Sequence, residues 1–414
     1  MIGAGVAGLT AAHLLQRTHD VTLYEADARL GGHAHTHELV GAAGDAFAVD
    51  SGFIVYNERT YPNLVRLFGE LGVETQASDM SMSVRCDGCG LEYAGAHGLG
   101  GVFAQPRRAA DPEFWRMLVD VKRFHRRARA LLRDGEADHT LTLRRFLVEG
   151  RFSRYFVRHF MVPVVSCVWS CPPPTALDYP AAYLFRFLDH HGFLTVGNTP
   201  QWRTVVGGSR SYVTRAAKEL TATAVGVPVR CVARVADGVE VHDEVDGLRR
   251  FDRAVVATHA DQALALLAAP TRPEREVLGA FGYSANHTVL HTDASLLPRA
   301  RRARSSWNYL LDRCDAGAEG VKVSYHMNRL HSLEEPVDHL VTLNADERIA
   351  ADAVVARMHY THPVYTPASV AAQARLHSLD DDRLAFAGAY HGWGFHEDGC
   401  ASGVRAAAHF GVVW

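Results

Sequence analysis

Three glycines open the chain as Gly3-x-Gly5-x-x-Gly8, and an acid, Glu25, follows twenty residues after Gly5. That spacing suits a dinucleotide. The first glycine makes a tight turn, the second lets the backbone reach a pyrophosphate, the third lets a helix pack closely, and the acid takes a ribose hydroxyl. Free N–H groups and the positive end of a helix dipole would meet the phosphates. Contacts are expected along Gly3, Gly5, Val6, Ala7, Gly8, Glu25 and Ala26. The same glycines without a ligand would be an ordinary turn. Other clusters also carry chemistry. His33, His35 and His37 alternate, as residues on one strand face do, but no carboxylate or cysteine cluster adjoins them. Cys86 and Cys89 in "CDGCG" and Cys167 and Cys171 in "SCVWSC" together have the makings of a four-cysteine zinc site or a redox pair. A hairpin with two thiols and a helix with two buried ones is the plainer reading, and no metal centre is expected.

These residues need particular elements. Leu9, Ala12 and Leu15 recur at helical spacing and predict a helix over 6–17, after which "DVTLYEA" reads as a strand from Val21 to Tyr24 ending at Glu25. A second helix carries Leu64, Leu67, Phe68 and Leu71 on one face. Asp111-Pro112-Glu113 starts a third, with Phe114, Met117, Leu118, Val121, Phe124, Ala128 and Leu131 at helical spacing, and "AAYLFRFLDHH" is a fourth. "VPVRCVARVADGVEV" and "FDRAVVATHADQAL" predict a β-meander followed by the strand Ala254–Thr258. Only Met1 and Ile2 precede the first glycine, where such a turn needs a buried strand. Losing four or five apolar residues at about 1.5–3 kcal/mol each would rival the whole stability, so a natural start a few residues upstream is expected.

Gly31 and Gly32, directly after the ribose acid, extend the dinucleotide motif in a way that resembles FAD-dependent amine oxidases and phytoene desaturases. Many members of that superfamily have arginine after the paired glycines, where this chain has His33. The resemblance continues through "PQWRTVVGGSR" and "RLAFAGAYHGWGFHEDGCASGVRAAA". It implies a Rossmann-like α/β FAD-binding domain with an inserted α+β substrate domain, and non-covalent FAD accepting or donating hydride at N5. The cofactor domain is expected at 1–60, 200–265 and 375–414, and the substrate domain at 61–199 and 266–374. The resemblance places His33, Val229, Ala257, Thr258, Gly388, Gly399 and Ser402 against FAD, which leaves little reason for a metal at His33, His35 and His37. It makes His391, Trp393, His396 and Glu397 catalytic candidates, with Tyr56, Asn57 and Tyr390 facing the substrate. More narrowly the chain resembles bacterial NAD/FAD-binding oxidoreductases found beside cyclopropane-fatty-acid-synthase-type methyltransferases. That implies a lipid acyl substrate and such a methyltransferase as partner. An amine oxidase, a redox-neutral flavin isomerase and a non-catalytic partner flavoprotein stay open.

The bulk numbers are those of an ordinary globular protein. The 414 residues are 48% hydrophobic and 21% charged, with a net charge of −3, which gives no footprint for nucleic acid. Seven cysteines do not read as a secreted disulfide framework, and no apolar run approaches a membrane span, so a cytoplasmic protein is expected. Two basic stretches, Lys122 to Arg133 and Arg299 to Arg304, are solvated faces or a means of peripheral contact with an anionic inner-membrane surface.

Overall fold

The computed structural model describes residues 1–41, 44–133, 140–194, 200–315 and 320–414. The expected boundary at 199/200 abuts residues 195–199, which lie outside the described residues.

A parallel sheet forms around the opening glycines. Ile2 bridges Tyr24 on one side and Val256 on the other, so even this short segment is the central strand. The strand Thr22–Glu25 pairs outward with Ala222–Val225, and Ala254–Val256 pairs with Leu384–Phe386. The helices Val6–Leu15 and His396–His409 pack together on this sheet, where a Cβ on Gly399 would lie 2.6 Å from Val6 Cγ1. The expected meander is present as Val229–Val235, Gly238–Asp243 and Leu248–Phe251.

A second, seven-stranded sheet runs in the order Val354–Val364, Gly282–His291, Leu340–Leu343, Lys322–His326, Trp307–Leu311, Met82–Cys86, Leu91–Ala94. Neighbours are antiparallel except Trp307–Leu311 with Met82–Cys86, so two distant chain segments complete one sheet. Helices cover it. Pro112–Arg133 starts where expected, with Asp111 Oδ1 accepting the N–H groups of Glu113 and Phe114, and buries Phe114, Met117, Phe124 and Ala128. Ala181–His190 buries Phe185 and Phe187 beside it. The helix Pro62–Glu70 buries Leu64, Leu67 and Phe68, and it stops one residue before Leu71. Among the described residues no helix is long and apolar enough to cross a membrane.

Candidate active site

A cavity of about 740 Å³ extends from the glycine turn to the helices over the large sheet. At one end the helix Val6–Leu15 begins at Gly5 with no side chain capping it, so its first N–H groups need a partner from elsewhere. A Cβ on Gly5 would meet nothing within 4 Å, whereas one on Gly8 would lie 1.9 Å from the Gly3 carbonyl oxygen. Gly8 therefore admits the helix to the turn, and Gly5 leaves open space above the helix start. Glu25 lines the same end. Its Oε2 accepts the Ala4 N–H at 2.8 Å and its Oε1 the Asp27 N–H at 2.9 Å, which fixes the carboxylate and spares further lone pairs.

Histidines occupy the middle. His33 is half-buried against His362 and Tyr360, with ring centroids 5.2 Å and 5.1 Å away, and His259 lies at 6.2 Å. Burial, and then the neighbouring His362, hold its pKa well below the ordinary histidine value, so the ring is neutral. Its Nε2 has no hydrogen-bond partner among the described residues, an orphan in a wall that lines the cavity. The Asn286 amide lies 3.1 Å from His362 Nδ1, and burial pushes the His362 pKa to about 4. His396 stacks on Phe53 at 3.7 Å and meets the Tyr212 hydroxyl through Nε2 at 3.0 Å. Burial holds its pKa at about 3. Beyond these residues the walls are mainly apolar, with Met80, Trp169, Phe187, Trp202, Trp307 and Tyr325 beside the hydroxyl of Ser170.

The structure brings Gly3, Gly5, Val6, Ala7, Glu25, Ala26, Gly32, His33, Val229, Ala257, Thr258, Gly388, Tyr390 and His396 to this one cavity. The others stand behind it. Gly31 donates its N–H to Ala4 O, and Ser402 Oγ accepts the Gly388 N–H at 2.8 Å while donating to Gly399 O. The helix bearing Gly399 starts earlier, at His396, so Gly399 is a packing residue one turn in rather than the helix tip. Five of the residues expected to be catalytic or to face the substrate lie outside this lining. Tyr56 is packed among Tyr61 and Phe68, and Asn57 Oδ1 accepts the N–H groups of Arg59 and Thr60 in a buried turn. Glu397 accepts from the N–H groups of Asn63 and Leu64, capping the helix Pro62–Glu70. His391 and Trp393 lie outside the lining, Trp393 packed against Phe187 and its carbonyl taken by Trp169. For His391 the cause is the short helical turn Ala389–His391, which leaves Tyr390 in the lining and its neighbour His391 out of it.

Sequence reasoning missed Phe53, His259, Tyr360 and His362. Tyr360 and His362 alternate in the strand Val354–Val364, but nothing in that alternation says which face meets a cavity. Cys167 lies on the helix Val162–Trp169 and Cys171 just beyond it, both buried, as the plainer reading of those thiols expects. His35 and His37 bond Tyr360 and Ser51.

The family model for flavin-containing amine oxidoreductases matches residues 6–293. The chain belongs to that family. It is therefore a flavin-dependent oxidoreductase, and FAD is its cofactor. Three solved structures share its fold. Cyclohexylamine oxidase from Brevibacterium oxydans IH-35A is 17% identical, with a TM-score of 0.68 over 99% of this chain and 97% of that one. A CLA-producing fatty acid isomerase from P. acnes is 16% identical, with a TM-score of 0.72 over 99% and 98%. Putrescine oxidase with bound putrescine is 14% identical, with a TM-score of 0.70 over 98% and 97%. No curated protein matched the sequence.

Proposed function

We propose that this family member oxidises or reduces an acyl chain, with the glycine-turn end of the cavity holding FAD and the aromatic end holding the lipid. The carrying observation is where charge is found. Among the described lining residues the acids and guanidinium groups are Glu25, Asp27, Arg29 and Arg230, all at the nucleotide end, and the far wall has neither carboxylate nor lysine. An apolar substrate loses nothing there, while a cationic amine would be desolvated without a counter-charge.

The chain's own groups have definable tasks. The open space above Gly5 and the uncapped helix start suit the pyrophosphate, and the free lone pairs of Glu25 suit ribose hydroxyls. Arg29 supplies a guanidinium to the wall although His33 stands where relatives have arginine, and the orphan His33 Nε2 is free to bond the cofactor. Bound FAD supplies a two-electron acceptor or donor. His396 and His362, held neutral, leave the substrate region uncharged and are the groups placed to take or give a proton.

The acyl chain is proposed to come from a membrane lipid. The helix Pro112–Arg133 exposes Trp115 (49%) and Val119 (55%) alongside Lys122, Arg126, Arg129 and Arg133, a composition that suits an anionic bilayer surface. A methyltransferase of the cyclopropane-synthase type would be a source of a modified chain there.

The test is anaerobic mixing of the FAD-loaded protein with unsaturated and methyl-branched fatty acids or their phospholipids, and separately with mono- and diamines. Bleaching of the flavin with a new double bond in the lipid is expected. Double-bond migration without bleaching would make it an isomerase, and bleaching by amines alone would overturn the lipid reading.

A further inference from the structure

Three thiols and one imidazole meet away from the cavity. Cys86 ends the strand Met82–Cys86, Cys89 lies in the hairpin turn that follows, Cys314 follows the strand Trp307–Leu311, and His159 lies in the helical segment 154–169. The ligand atoms Sγ, Sγ, Sγ and Nε2 all lie within 4.8 Å of one another. None of the four lines the cavity.

We propose that Cys86, Cys89, Cys314 and His159 bind a zinc ion in a closed, structural site. Two of the distances between them match the edges of a ligand tetrahedron. Zn–S of about 2.3 Å and Zn–N of about 2.0 Å put two sulfurs about 3.8 Å apart and a sulfur and nitrogen about 3.5 Å apart. Cys86 Sγ and Cys314 Sγ are 3.7 Å apart, and Cys89 Sγ and His159 Nε2 are 3.6 Å apart. A disulfide would need about 2.05 Å, and all seven cysteines are free.

The surroundings fit a metal in four further ways. "CDGCG" is a Cys-x-x-Cys-Gly turn in which the Cys89 N–H points to the Cys86 sulfur and the Leu91 N–H to the Cys89 sulfur. Such bonds stabilise thiolates. Gly88 lies so close to the Cys314 loop that a Cβ there would sit 2.9 Å from the Cys314 nitrogen, which lets the two sulfur-bearing loops meet. His159 Nδ1 lies 3.2 Å from the Tyr155 carbonyl oxygen, a bond that puts the proton on Nδ1 and leaves Nε2 free to ligate. Arg108 donates to the Cys89 carbonyl at 2.8 Å and fixes the turn. Binding releases the thiol protons and gives three thiolates and a neutral imidazole around Zn²⁺, a complex of net charge −1. Four protein ligands leave no open position, so this zinc would not act on substrate.

The site has a mechanical consequence. His159 occupies a single π-helical turn, Val157–Met161, that runs directly into the helix Val162–Trp169. That helix contributes Cys167, Val168 and Trp169 to the cavity wall. Zinc would thus pin the base of a wall helix to the edge of the large sheet.

The holoprotein, expressed with added zinc, should contain one zinc per chain by elemental analysis. X-ray absorption should show three sulfurs and one nitrogen in the first shell. Cys314→Ser and Cys89→Ser should lose most of the metal and melt at lower temperature while keeping the flavin spectrum. If neither variant folds, the wild-type metal content and absorption edge decide the matter alone. Wild-type protein free of zinc, iron in its place, or a disulfide joining any two of Cys86, Cys89 and Cys314 in the native protein would overturn the assignment.

Discussion

One methyl group added to Gly5 and one added to Gly8 should have opposite consequences. At Gly5 the added atom enters open space, with backbone at φ −70°, a conformation any residue adopts. At Gly8 it would collide with the Gly3 carbonyl oxygen. Gly5→Val is therefore expected to fold and to melt like the flavin-free parent but to lose flavin, because the branched side chain fills the pyrophosphate's place. Gly8→Ala is expected to lose about 1–3 kcal/mol of stability or more through forced repacking. Thermal melts with and without added FAD distinguish the two. Residue types and spacing were enough to find this turn and Glu25, because dinucleotide binding uses backbone geometry that only glycine permits. They were not enough for Glu397 or Trp393, whose segment turns between neighbouring residues. They could not reveal His362, whose partner His33 is more than three hundred positions away.

Glu397 shows what an element can need from far along the chain. The helix Pro62–Glu70 has Tyr61 at its N-cap, which supplies no capping bond. The Glu397 carboxylate does so instead, bonding the Asn63 and Leu64 N–H groups and tying two helices together. Burial raises its pKa from the ordinary carboxylate value. Glu397→Ala is expected to reduce stability by about 1–2 kcal/mol, as loss of a cap does. Chemical denaturation measures this, and the rate of flavin reduction should stay near the parent's. A large loss of rate in a stably folded variant would return Glu397 to the catalytic set. Element positions were largely legible because amphipathic periodicity is local. The helix over 112–133 and the meander over 229–251 appear where their patterns put them. The pairing of Met82–Cys86 with Trp307–Leu311 was not legible, since a strand's sequence does not name a partner over two hundred residues on.

Histidines held neutral in the folded state should govern the stability of the molecule as a whole. Burial lowers His125, His191, His291 and His362 to about 4, and His391 and His396 to about 3, against an unfolded value of about 6.5. Below about pH 6.5 the unfolded chain takes up protons that the folded chain refuses, so stability falls as pH drops towards 4. Asp398 acts in the opposite sense. Burial raises its pKa to about 7, so the folded state keeps a proton that the unfolded chain releases above about pH 4. Six histidines outweigh these two carboxyls, Asp398 and Glu397, and melting temperature should peak near neutrality and fall steeply on acidification. A flat profile from pH 7 to 4.5 would contradict the burial described. Lipid docking also belongs to this scale. Reversing charge at Arg126, Arg129 and Arg133 should weaken binding to anionic vesicles by about 1 kcal/mol per residue, with salt doing the same to the parent. Co-sedimentation reads both effects.

The most direct single measurement is the visible absorption spectrum of the purified protein beside that of Gly5→Val. The account predicts an oxidised-flavin spectrum for the parent, released on denaturation as free FAD, and a colourless variant with the parent's circular dichroism and the melt of the flavin-free parent. A folded parent that stays colourless after incubation with FAD, or a Gly5→Val variant as yellow as the parent, would contradict it.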